Sequence, residues 1–199
     1  MSSSTLTTET RGHIFLMGLN RPEKRNAFNP EMYRALGEAY GRLDAEPELR
    51  CGLLFAHGDH FTGGLDLAQW TDNLASGQRM ELPPGAIDPL GLEHARVRKP
   101  LVIAVQGWCL TLGLELMLAC DVRIAAATTR FAQLEVKRGI YATGGATLRL
   151  PDEIGWGRAM QYLLTGDEIA VQDALQWGLV QEVVPHGRQL ARAIEIAER

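Results

Sequence analysis

The chain has 199 residues, 46% apolar and 22% charged, enough to bury the core of one globular α/β domain. Its net charge of −4 gives no electrostatic footprint for nucleic acid, no apolar run is long enough to span a bilayer, and the polar start MSSSTLTTETRG lacks the apolar stretch of a signal peptide. Cys51, Cys109 and Cys120 lie in apolar surroundings without metal-ligand or Cys-x-x-Cys spacing, which predicts buried reduced thiols and a cytosolic protein.

Residues 12–20, GHIFLMGLN, predict a buried strand, halted by the proline and polar residues of RPEKRNAFNP. Asn29 and Pro30 supply an N-cap and a first helical residue for the amphipathic PEMYRALGEAYGRLDAE. CGLLFAHG (51–58) reads as a second strand running into HFTGGLDL, and a helix is expected from Leu65 or Asp66 through Trp70. The SGQ, PPG and DPLG groups of residues 71–91 predict an excursion from the core, placed where a lid would lie. LEHARVRK is expected to be a short helix, PLVIAVQGW a strand, and LTLGLELMLACD a helix buried on almost every side. VRIAAATTRFAQLE follows as strand, turn and strand, and GGATLRLPDEIGWGRAMQYLLTG as a turn leading into helices. DEIAVQDALQWGLVQEVVP predicts a helix and a short strand. RQLARAIEIAER then carries an amphipathic helical pattern without a C-cap, so its packing partner is expected in a further segment or on another subunit. The alternation of strands and helices implies an α/β fold.

Two glycine-bearing stretches, HFTGGLDL and QGWCLTLGLEL, each follow an apolar strand and lead into a helix. Neither ends in Gly-Lys-Ser/Thr and neither is Gly-x-Gly-x-x-Gly, so phosphate-loop and dinucleotide fingerprints are set aside. Unpaired backbone N–H groups at two such strand-to-helix turns could instead converge on one carbonyl oxygen that becomes negative in a reaction. That role asks nothing of the side chain, so leucines such as Leu65 and Leu112 are compatible with it. Glu115 falls in the most apolar helix and Glu135 at the end of another apolar segment. Each alone could be a structural acid; together they suit the acid and base roles of an addition or elimination. Arg21, Lys24 and Arg25 form a small basic patch that a solvated loop would also explain.

Five motifs, in order, resemble the crotonase (enoyl-CoA hydratase/isomerase) superfamily: LNRPEKRNAFN, FTGGLDL, VQGWCLTLGLELMLACDVRIA, FAQLEVKRGI and LTGDEIAVQDALQWGLVQEVVP. The resemblance implies an α/β crotonase (ClpP-like) spiral of β-β-α turns over residues 1–165, with the start of a C-terminal helical, trimer-forming region over 166–199. It implies an acyl-CoA thioester as substrate, with coenzyme A arriving as part of it and no separate cofactor or metal. No nucleic-acid or membrane partner is implied, and the assembly would be a homotrimer or a dimer of trimers. The backbone N–H groups of Leu65 and Leu112 would form the oxyanion hole. Glu115 and Glu135 would be the two carboxylates that add water across a 2-enoyl thioester. Lys24, Arg25 and Ala27 would lie beside the adenine and phosphates of CoA, and Gly63, Gly64, Asp66, Leu67 and Gly113 along the substrate path. Asp66 would shape the first donor loop, or else serve as a helix cap. The alternatives are a double-bond isomerase or another dehydratase of the same family, or a catalytically silent acyl-CoA-binding subunit.

Three residues depart from the family pattern. Leu112 stands at the middle of a usual Gly-Gly-Gly and would be strained there if that position required a positive φ. YATGGAT lacks the usual proline of its loop, and Leu134 replaces the proline before the second glutamate.

Overall fold

The computed structural model describes residues 4–71, 80–93 and 95–199. Its first element is a hairpin of Leu6–Arg11 (β1) and Ile14–Leu19 (β2), antiparallel, turned at Gly12 with φ +57°. β1 is absent from the sequence reading, where its threonines passed for a polar tail; the β-branched run TLTTETR was the missed signal. Along β2 the side chains alternate as a strand requires: Phe15, Met17 and Leu19 enter one core, Ile14 and Leu16 the other.

Pro30–Ala45 forms a helix (α1), with the Asn29 carboxamide oxygen accepting from Met32 N–H at 2.8 Å. A cap of this kind stabilises by about 1 kcal/mol. Cys51–Ala56 (β3), Leu101–Val105 (β4) and Val122–Ala126 (β6) add to β2 in parallel, and Glu182–Val184 (β9) closes the sheet. The strand order is β1-β2-β3-β4-β6-β9. β2 and β4 are buried along their whole length, as expected of parallel strands covered on both faces.

A smaller sheet holds Trp108–Leu110 (β5), Arg130–Ala132 (β7) and Ile169–Ala170 (β8). The expected strand 100–108 is therefore two strands in two sheets, broken at Gln106-Gly107. The division repeats. β4 enters the large sheet and β5 the small one, β6 and β7 do the same, and Thr62, after β3, makes a parallel bridge to Cys109 of β5. This repeated strand-strand step is the spiral that the resemblance implies.

The remaining α-helices given whole among the described residues are Leu112–Leu118 (α2), Ala146–Ile154 (α3), Trp156–Thr165 (α4), Val171–Gln176 (α5) and Gln189–Ala197 (α6). α2 is shorter than the expected 110–121 because Trp108–Leu110 is taken by the small sheet. α6 covers the second core through Leu190, Ala193 and Ile194.

Two expected helices are corrected. Residues 65–70 make only a 3-10 turn, Leu67–Gln69. Among the described residues of LEHARVRK there is no helix: Asp88 accepts from Leu92 N–H, and Arg98 N–H is drawn to Asp44, so the backbone is held by distant carboxylates. Of the expected lid over 71–91, residues 72–79 lie outside the described part, and 80–91 run without helix or strand. No helix among the described residues is long and apolar enough to cross a membrane. Cys51, Cys109 and Cys120 are free and buried.

Candidate active site

The two donor loops are stitched together by backbone. Thr62 N–H donates to Trp108 C=O at 2.9 Å and Leu110 N–H to Thr62 C=O at 3.2 Å, which sets the end of β3's loop beside β5. On the other side, Phe28 N–H donates to Gly64 C=O and Asp66 N–H to Phe28 C=O, both at 2.8 Å. A parallel bridge uses the groups flanking Leu65, so Leu65 N–H turns the opposite way. It finds no acceptor among the described residues. Leu112 N–H, the first of α2, has no acceptor among them either, as first-turn amides must. Thr62 braces the first loop: its buried hydroxyl donates to Asn26 C=O at 2.7 Å and accepts from Gly64 N–H at 3.1 Å.

Gly64 and Thr111 face each other across the gap between the loops. Gly64 has φ +102°, and a Cβ there would overlap Thr111 Oγ1, so this position excludes side chains twice over. At Gly63 a Cβ would meet nothing closer than 3.9 Å. The strain anticipated for Leu112 falls one residue earlier. Leu112 is helical, and Thr111 carries φ 50° and ψ −116°, a conformation that costs a non-glycine residue about 1–3 kcal/mol. Gly113, next in α2, packs against the Thr62 methyl.

Glu115, 4% exposed, stands on α2 directly behind the second donor loop. Its Oε1 accepts from Ala146 N–H at 3.2 Å, and Gly144 lies against the carboxylate so tightly that a Cβ would overlap Oε2. Burial pushes the Glu115 carboxyl up to about 7. The Glu135 charge adds to the push, while the Ala146 and Gly144 amides and the Arg149 guanidinium pull back. Glu135 begins a 3-10 turn, Glu135–Arg138, reached without the family's preceding proline because Leu134 adopts φ −89°, ψ 0°. It is half-buried, and burial raises its carboxyl too. Its Oε2 is buried and makes no hydrogen bond among the described residues. The structure thus brings Glu115 and Glu135 within electrostatic reach of each other.

The basic loop is a 3-10 turn, Pro22–Lys24, followed by Arg25 and Asn26, both left-handed. Lys24 and Arg25 are exposed, and the Arg25 guanidinium lies 4.6 Å over the Trp108 ring, which stacks on His60. Ala27 N–H donates to Lys24 C=O at 3.0 Å, and Ala27 C=O accepts from Arg21 Nη1. Asp66 is not a helix cap: its Oδ2 accepts from Arg21 Nη2 at 3.2 Å and from Gln69 Nε2 at 3.0 Å, tying the first donor loop to the basic loop. Leu67 is 46% exposed at this edge.

Sequence reasoning missed the residues that hold these parts in place. Asn26, fully buried, donates to the carbonyls of His57 and His60 at 2.8 Å and accepts from Arg21 N–H at 2.7 Å. Gly144 and Thr111 were equally overlooked. The glycine pair in YATGGAT was the available signal for the first, and no pattern in the sequence marks the second.

The family model described as enoyl-CoA hydratase/isomerase matches residues 9–199. An enoyl-CoA hydratase of Mycobacterium tuberculosis is 36% identical over 195 residues, spanning 96% of this chain and 72% of the relative. A mevalonyl-coenzyme A hydratase of Beauveria bassiana is 38% identical over 182 residues, 88% of this chain and 65% of its own length. The crystal structure of a probable enoyl-CoA hydratase/isomerase from Mycobacterium abscessus superposes with a TM-score of 0.95 at 44% identity, covering 99% of this chain and 76% of that one. With two unpaired amides on adjoining loops and two carboxyls behind them, the chain belongs to the enoyl-CoA hydratase/isomerase (crotonase) family.

Proposed function

We propose that the protein hydrates a 2-enoyl-CoA thioester to the 3-hydroxyacyl-CoA. The observation that carries this reading is the placement of two carboxyls, Glu115 and Glu135, beside two loops that each offer an unpaired backbone N–H. The thioester oxygen takes the N–H groups of Leu65 and Leu112, which stabilise its negative charge as the double bond opens. Each such donor contributes on the order of 2.7–4 kcal/mol to lowering the barrier.

A water held between the two carboxyls supplies the hydroxyl for C3, and the proton it gives up replaces the one delivered to C2. Burial raises both carboxyls, Glu115 to about 7, so near neutral pH the pair carries one shared proton. In the reacting state Glu115 takes the charge, where the Ala146 and Gly144 amides hold an anion, and Glu135 takes the proton, its Oε2 having no donor among the described residues. The water oxygen bonds to C3 as its proton passes to Glu115. Glu135 gives its proton to C2, and the pair then exchanges protons with solvent before the next turnover. Lys24 and Arg25 place positive charge for the CoA phosphates, Ala27 carries that loop, and Gly63, Gly64, Asp66, Leu67 and Gly113 shape the path to the carboxyls.

The active assembly in this reading is a homotrimer or a dimer of trimers. Leu148, Trp156 and Leu164 on α3 and α4, each 69% exposed, support it as apolar surface suited to a second copy. The buried free thiols suit the cytosol. The test is loss of the conjugated-thioester absorbance of crotonyl-CoA. Turnover by wild type and none by Glu135→Gln supports the two-carboxyl hydratase; conversion of a 3-enoyl-CoA without hydration would replace it with an isomerase.

A further inference from the structure

A cleft of about 500 Å³ opens at the far end of α2 from the donor loops, among Leu118–Asp121, residues 88–91 and 96–99, and α3. One α2 length, about 10 Å at 1.5 Å per residue, separates it from Leu112. Its wall carries four cationic side chains, Arg96, Lys99, Arg123 and Arg149, against the carboxylates Asp88, Asp121 and Glu153.

The acids are already engaged. Asp88 accepts from Tyr33 Oη and from the N–H groups of Leu90 and Leu92. Asp121 accepts from Leu101 N–H, and Glu153 from Arg123 Nη2, at 2.8 and 2.7 Å. Lys99 is spent on the carbonyls of Leu43 and Glu46 at the end of α1.

The two guanidiniums are not fully engaged. Arg123 is 5% exposed, yet its Nε and Nη1 are buried with no partner among the described residues. Arg149 donates through Nη2 to Leu90 C=O at 2.8 Å, and its Nη1 is likewise buried and unpartnered. Burial lowers the Arg149 guanidinium and the like charge of Arg96 lowers it further, a repulsion that an anion between them would relieve. Buried donors on a permanently charged group are costly to leave unmade. Planar forks of this kind match the oxygens of a phosphate.

We propose that this cleft binds a phosphate-class oxyanion, gripped by Arg123 and Arg149. Its volume leaves room for a small organic body on the phosphate as well as for the free ion. The site is separate from the basic loop at Lys24 and Arg25, and it stands whether or not the hydratase reading does.

The test is calorimetric titration of the intact protein with inorganic phosphate, then with glycerol phosphate, at an ionic strength fixed with chloride. Saturable binding is expected in wild type and in Arg25→Gln, weakened at least about tenfold in Arg123→Gln and in Arg149→Gln. Tighter binding of glycerol phosphate assigns the cleft to a phosphomonoester, and equal or tighter binding of phosphate assigns it to the free ion. Because Arg123→Gln strands Glu153 and could fail to fold, Arg123→Lys, which keeps the charge and loses the fork, serves as the second variant with the same expected loss. Absence of binding by either anion overturns the proposal. So does binding lost in Arg25→Gln yet unchanged in the Arg123 and Arg149 variants.

Discussion

Gly144 is pressed against the carboxylate of Glu115, with no room for a methyl group between them. The contact fixes where the carboxylate can sit, because the same side chain must also reach Ala146 N–H. Gly144→Ala is expected to push Glu115 off that amide. Displacements on the order of 1 Å cost about a hundredfold in rate, so kcat for crotonyl-CoA should fall by about that factor. Unchanged steady-state kinetics would show that the glycine does not position the acid.

Removing either carboxyl tests the shared-water chemistry. Glu115→Gln and Glu135→Gln should each lower kcat by roughly a hundred- to ten-thousandfold, as loss of a general acid or base does, with little change in KM. The double variant should be scarcely worse than either single one, since the pair acts as a unit. Additive losses in that cycle would count against a shared water.

Glu115 also writes a pH dependence into stability. Its carboxyl is raised from 4.5 to about 7 on folding, so the native state holds a proton that the unfolded state releases. Stability is therefore expected to decline as pH rises from 4.5 through 7, by about 3 kcal/mol once ionisation is complete. Glu115→Gln should lose that decline and, above neutral pH, be the more stable protein. Urea denaturation of both at pH 5 and pH 8 decides it, and parallel curves would refute the assignment.

The two glycines of HFTGGLDL should behave differently. Gly63→Ala has space for its methyl and is expected to leave turnover within about twofold. Gly64→Ala meets both the Thr111 hydroxyl and a positive φ, and should cost turnover at least about tenfold. Equal tolerance at both positions, measured by the same absorbance assay, would mean that the loop adjusts freely.

Thr111 gives the complementary experiment. Its backbone stores about 1–3 kcal/mol of strain, and Thr111→Gly should recover most of it, less about 0.5–1 kcal/mol of extra freedom in the unfolded chain. A higher urea midpoint at unchanged slope is the expected result.

Much of this site could be read from residue types alone. A glutamate in a helix as apolar as LGLELML has no inexpensive structural explanation, so Glu115 announced itself; Asn29-Pro30 likewise fixed the start of α1. What escaped was decided at a distance. Whether Trp108–Leu110 continues β4 or leaves for a second sheet depends on its pairing with Arg130–Ala132. LEHARVRK has helical composition, but Asp44 and Asp88 hold its backbone amides from elsewhere in the fold. Thr111 was invisible because its strain comes from joining a strand in one sheet to a helix start within a single residue.

The strand order of the large sheet has a consequence for how the chain acquires its shape. From β1 to β9 each strand of that sheet joins an edge laid down by a strand earlier in the chain, and none is inserted between two already paired. Assembly can therefore follow synthesis from the ribosome, with each newly emerged strand finding its neighbour already waiting. β4 follows β3 only after residues 57–100, and β9 waits through the longer 127–181 stretch, β7 to α5, before it reaches β6. That closure carries the largest loop entropy in the sheet, and it is where pausing or truncation would leave a bare parallel edge open to association.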